Sequence, residues 1–128
     1  MMNTNNKNIG YEIAKGKVAE YIAYMDCVYE DKMKQIEEYN SEITNEFKDE
    51  YFDYNKSLKF VRTWDIIKND INPAERNLVI ASEVAKDYDE CLTYFNGIKA
   101  PKNVASLKVL VCNARRKIRE IYNQKWGD

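Results

Sequence analysis

Apolar residues recur along most of this chain at intervals of three and four, the spacing that lines up one face of a helix, and no stretch alternates with a period of two. An all-α fold is therefore expected. Val18, Ile22, Met25, Tyr29, Met33 and Ile36 form the first stripe, within a helical pattern that begins at Tyr11. The stripe continues through Asn40 to Ile43, Phe47 and Tyr51; Asn40-Ser41 is able to cap a second helix, so one long rod and two segments both fit. Four Gly and two Pro in 128 residues leave few places where such helices must stop.

The punctuation that does exist is sharp. A short amphipathic helix is expected from Asn55 to Lys68, carrying Leu58, Phe60, Val61, Trp64 and Ile67. Asn72-Pro73-Ala74-Glu75 then offers a capping side chain, a Pro at the first helical position and a Glu at the third, so a helix should run from Pro73 to about Lys86 with Leu78, Val79, Ala81 and Val84 inward. Asp87 and Glu90 repeat that logic, and Asn96-Gly97 supplies a residue able to take positive φ and close the short helix they open. After Pro101 the last helix should begin near Asn103 or Val104 and reach about Lys125, its seam being Val104, Leu107, Val111, Ala114, Ile118 and Ile121. This divides the chain into long N-terminal helices (residues 1–70) followed by a three-helix module (71–128).

Charge is sorted along the same division. Asn96 to Asp128 carries eight Lys or Arg against two acidic residues, whereas residues 1–95 carry twelve against nineteen. A near-neutral total thus joins an acidic body to a basic end, which suits an anionic partner, nucleic acid above all. Neither an apolar run of membrane-spanning length nor the apolar core of a secretory signal is present, so a soluble intracellular protein with no membrane partner is expected. The chain has no His, which removes the usual general base, and Glu37, Glu38, Asp49 and Glu50 lie off the apolar stripe as a solvated face. No catalytic residue, and no enzyme, is expected. Cys27, Cys91 and Cys112 form no CxxC pair and read as buried thiols, with no metal site and no cofactor implied. Tyr21, Tyr24, Tyr29 and Tyr39, in acidic surroundings, read as core or interface residues rather than base-stacking platforms.

A medium, a short and a long helix in succession, with a Gly turn after the short one and a basic last helix, are the ingredients of a helix-turn-helix DNA reader. Lys108, Arg115 and Arg119 fall on one face of the last helix, flanked by Arg116 and Lys117. Its N-terminal residues Lys102, Asn103, Ser106 and Lys108 are the ones that would reach base edges, Asn103 being suited to adenine. The expected DNA-binding set is thus Lys102, Asn103, Ser106, Lys108, Arg115, Arg116 and Arg119.

Asn72-Pro73-Ala74-Glu75-Arg76, then Tyr88-Asp89-Glu90, then Gly97-Ile98, then Asn113-Ala114-Arg115-Arg116-Lys117-Ile118-Arg119-Glu120 resemble region 4 of sigma-70-type transcription initiation factors. The resemblance runs from about Ile71 to Tyr122 and implies a promoter-reading helix-turn-helix. Two departures accompany it. Lys99-Ala100-Pro101-Lys102 lengthens the turn before the recognition helix, and the N-terminal half has no counterpart of the polymerase-binding and promoter-melting region. An accessory or regulatory DNA-binding protein is accordingly expected, in the cytoplasm of a bacterial or host cell, rather than a complete sigma factor. The N-terminal helices would mediate self-association into a homo-oligomer or contact RNA polymerase or other phage proteins. The alternative is a bacteriophage structural or assembly protein, a connector, ring or packaging subunit of the virion, that keeps the helical module as a protein–protein scaffold.

Overall fold

Asp and Asn side chains set where most of the helices begin. In the computed structural model, which describes residues 15–41 and 52–127, α1 spans Lys15–Asn40, α2 Tyr54–Asn69, α3 Pro73–Val84, α4 Tyr88–Thr93 and α5 Val104–Trp126, with no β-strand among the described residues. The expected continuation of the first stripe to Ile43, Phe47 and Tyr51 lies outside the described residues. Asp53 Oδ1 accepts from Lys56 N at 3.0 Å, and Asn72, Asp87 and Asn103 accept from Glu75 N, Glu90 N and Ser106 N at 2.8 Å each. Each bond satisfies an N–H with no partner inside its own helix, typically worth about 1 kcal/mol. Glu75 Oε1 accepts in return from Asn72 N at 3.0 Å, completing the capping box read from the sequence. Glu90 reaches one residue further back, to Lys86 N at 2.8 Å.

Two helix ends differ from expectation for a common reason. α3 stops at Val84, not Lys86, because Asp87 must be extended to cap α4 (φ −155°, ψ 178°) and Ala85 has already left the helix (φ −72°, ψ 146°). α4 closes at Thr93 without Gly97: the Tyr94 N–H turns back onto the Cys91 and Leu92 carbonyls. Gly97 does take the expected positive φ, 105°, but it shapes the turn beyond, where its carbonyl accepts from Ala100 N at 3.3 Å.

The seams converge on two apolar clusters. One gathers Val18 from α1, Trp64, Ile66 and Ile67 from α2, Ile71, Val79 and Ile80 from α3 and its approach, and Ala114 and Ile118 from α5, with Tyr21, Ile22, Met25 and Tyr29 packed against it. The other holds Leu78, Ala81, Cys91, Tyr94, Phe95, Ala100, Leu107 and Val111. Residues Leu78, Val79, Ile80 and Ala81 are all buried, so α3 is apolar on every side at its middle and faces both clusters. The 70/71 boundary runs through the first cluster, which draws side chains from both sides of it. Val18, Tyr21, Ile22, Met25 and Tyr29 of α1 are thereby covered within the chain.

Polar contacts fix the helices against one another. Trp64 Nε1 donates to Asp26 Oδ1 at 2.8 Å, and Lys68 Nζ lies 3.1 Å from Asp26 Oδ2, pinning α2 to α1. Arg76 of α3 donates to the Ile67 and Lys68 carbonyls at 2.9 Å each, satisfying the C-terminal end of α2. Lys17 Nζ donates to Tyr94 Oη, which donates to Glu90 Oε2, each at 3.2 Å, tying α1 to α4.

Two of the three cysteines depart from expectation. Cys91 is buried in the second cluster, and desolvation pushes its thiol up to about 11, whereas Cys27 and Cys112 are exposed because they lie off the buried faces of α1 and α5. Of the tyrosines, Tyr21 and Tyr29 are half-buried as expected, and Tyr39 stacks on Tyr54 with ring centroids 4.5 Å apart, but Tyr24 is 66% exposed.

Candidate nucleic-acid interface

Because α5 turns Leu107, Val111, Ala114 and Ile118 inward, the residues between them must point out. All seven expected DNA-binding residues are exposed: Lys102, Asn103 and Ser106 at the start of the helix, and Lys108, Arg115, Arg116 and Arg119 along it. Exposure is common to them, but electrostatic state is not. Lys102 and Arg119 make no hydrogen bond or ion pair with another described residue. Lys108 sits over the Tyr88 ring, 5.3 Å from its centroid, a contact that leaves its charge uncompensated. Arg116 Nη2 donates to the neutral Asn113 Oδ1 at 2.8 Å.

Arg115 differs. Its Nη2 donates to Ser82 Oγ at 2.8 Å and to Glu83 Oε1 at 3.1 Å, so it meets a carboxylate of α3. Lys117 and Lys125 do the same with Glu75 at 3.0 Å and Asp70 at 2.7 Å. The neutralised cations are thus those whose carboxylate partners stand on α3 and its approach. The pairs are partly exposed and each stabilises by about 1 kcal/mol at most. Sequence reasoning found the basic face, since helical spacing suffices for that; it missed Ser82, Glu83, Glu75 and Asp70 as partners, which only the packing of α3 on α5 brings near.

At the front of the helix, Asn103 has a task that its exposure does not reveal. Its Oδ1 accepts from Ser106 N and caps α5, so a two-bond contact to adenine would have to share that oxygen. Ile98, 93% exposed, stands in the turn before α5 with Lys99 and Lys102, and Val109, 58% exposed, lies on the outer side of α5.

No protein-family model, curated protein or solved structure matches the chain. Among the described residues no group of three His, Cys, Asp or Glu is placed to hold a metal ion, and no helix is long and apolar enough to cross a membrane.

Proposed function

We propose that the protein binds duplex DNA through the outer face of α5 and the turn before it, acting as an accessory or regulatory factor. The observation that carries this reading is the set Lys102, Lys108, Arg116 and Arg119: four exposed cations with no carboxylate partner among the described residues, on a chain whose other basic residues on α5 are paired internally. Unpaired positive charge on one side of a helix suits a run of phosphates, whose neutralisation releases counterions. The succession of α3, α4 and α5 supports a helix-turn-helix-like presentation, with α5 as the helix laid in the groove. Its lengthened turn favours weak sequence selectivity.

Fluorescence anisotropy of a labelled random-sequence duplex over a salt series tests this. Four phosphate contacts give a log–log slope of roughly −3 to −4, and Lys108→Gln and Arg119→Gln each lower its magnitude by about 1. Arg115→Gln has a smaller effect, its charge being already offset by Glu83. Absence of binding at low salt refutes the proposal.

One observation favours the alternative, a structural or assembly protein of a bacteriophage particle. The pairs Arg115–Glu83, Lys117–Glu75 and Lys125–Asp70 neutralise three of the six basic residues of α5 inside the molecule. Under that reading the protein enriches no motif from random duplexes and assembles to a defined higher mass.

A further inference from the structure

Where α1, α2, α3 and α5 meet, they line an open cleft of about 690 Å³. That volume falls in the range of small-molecule sites. Trp64, Ile80 and Ile118 form part of its lining and are buried core residues, so its base is fixed by packing. Tyr21 and Phe60 are half-buried beside them, and Tyr21 meets Trp64 edge to face with centroids 6.4 Å apart. The apolar part of the cleft thus joins three aromatic rings to the aliphatic side chains of Met25, Ile67, Val79, Ile80 and Ile118.

Among the described residues its polar groups are few: Glu83 and Arg115 are ion-paired, and Lys59 and Thr63 lie one helical turn apart on α2. Lys59, Thr63, Glu83 and Arg115 line the cleft with the Tyr21 hydroxyl. Lys59, the Thr63 hydroxyl and the Tyr21 hydroxyl make no hydrogen bond with another described residue. Desolvation, with the nearby Glu83 charge, raises the Tyr21 pKa, so at neutral pH its hydroxyl stays a donor. Arg115 uses Nη2 for both Ser82 and Glu83, which leaves its other donors open. Among the described residues that line the cleft, two cations stand against one carboxylate.

We infer that the cleft binds a small amphipathic monocarboxylate, its carboxylate held by Arg115 and Lys59 and its apolar body lying against Tyr21, Phe60 and Trp64. One negative charge balances the two cations and one carboxylate of the described lining, whereas a dianion adds a second charge beside Glu83 and a cation meets two like charges. The inference does not depend on DNA binding: the free cations at Lys102, Lys108 and Arg119 are not part of the cleft.

Calorimetric titration with decanoate and, separately, decylammonium, both below their micellar concentrations, tests the assignment on the full chain. Decanoate is expected to bind saturably with one site per chain and decylammonium not at all. Arg115→Gln should weaken decanoate binding about tenfold, the loss of one charge-assisted contact. Lys59→Gln, at an exposed residue free of other described partners, should weaken it without altering the melting temperature. Thr63→Trp, which fills the cleft from α2, should abolish binding while the helical circular dichroism is retained, and decanoate should shift the Trp64 indole resonance in the unsubstituted protein. Equal binding of both amphiphiles, indifference to Lys59→Gln and Thr63→Trp together, or no saturable decanoate binding would overturn the inference. So would binding that emerges only after residues 1–14 are removed, since the chain's own N-terminal segment would then be the occupant.

Discussion

Replacing Asp26 by Ala removes the acceptor of the Trp64 indole N–H and the partner of Lys68 in one step. Trp64 is only 3% exposed and its Nε1 donates at 2.8 Å, so the donor loses its bond in a setting with little access to water. An unsatisfied buried donor costs about 1–3 kcal/mol. The Lys68 pair, whose side chains are 36% and 44% exposed, adds at most about 1 kcal/mol. A total of about 1–4 kcal/mol is expected for Asp26→Ala, while Asp26→Asn keeps an acceptor for Trp64 and should cost under about 1 kcal/mol. Desolvation pushes the Asp26 carboxyl up, but the hydrogen bonds from Trp64 and Lys68 and the Lys68 charge outweigh it and hold the pKa below 3.8. A carboxyl whose pKa falls on folding stabilises fully above its unfolded pKa and loses that contribution as pH drops through the folded value. The difference between the native protein and Asp26→Asn should therefore hold steady from about pH 7 to 5 and close below about pH 4. Urea titrations followed by Trp fluorescence and circular dichroism across that range measure both quantities. A cost below about 0.5 kcal/mol for Asp26→Ala, or an Asn variant as damaging as Ala, would refute the reasoning.

Thiol labelling of the native protein should modify Cys27 and Cys112 promptly and Cys91 only on unfolding, because Cys91 is buried and its pKa lies near 11; three rapidly reacting thiols would contradict the packing of the second cluster. Asn103→Ala should lower stability by about 1 kcal/mol through loss of the α5 cap, and Asn103→Ser should restore it; equal stability of the Ala variant and the native chain would mean that the cap contributes nothing. Removing residues 1–54 strips Val18, Tyr21 and Met25 from the first cluster, so the remainder should lose cooperative thermal unfolding, whereas a sharp transition in the fragment would establish an independent C-terminal module.

Local chemistry was legible and tertiary pairing was not. The Asn72–Glu75 capping box and the Asp87 cap involve residues three apart, so their sequence signature is the interaction itself. The seam of α5 was legible because one side of that helix is wet, which makes spacing informative. Ile66 and Ile80, at 0% and 1% exposure, escaped the expected inward sets because α2 and α3 are covered on more than one side, a situation in which period carries little information. The same holds for the candidate site. Spacing placed Lys108, Arg115 and Arg119 on one face, yet the acids that sort them into paired and free charges lie on α3, and the aromatic cleft exists only where four helices converge.

The position of α3 governs how the molecule can open. With Leu78 and Ala81 in one cluster and Val79 and Ile80 in the other, the middle of this helix is a shared wall, and α5 runs along both rooms. Sub-global opening that spares one cluster would have to strip half of α3 while leaving the other half packed. Backbone amides there should exchange with solvent hydrogen only through whole-molecule unfolding, and the rate would be set by total stability rather than by any local hinge. A partner that grips the outer side of α5 consequently bears on both clusters at once, because α5 contributes Ala114 and Ile118 to one and Leu107 and Val111 to the other.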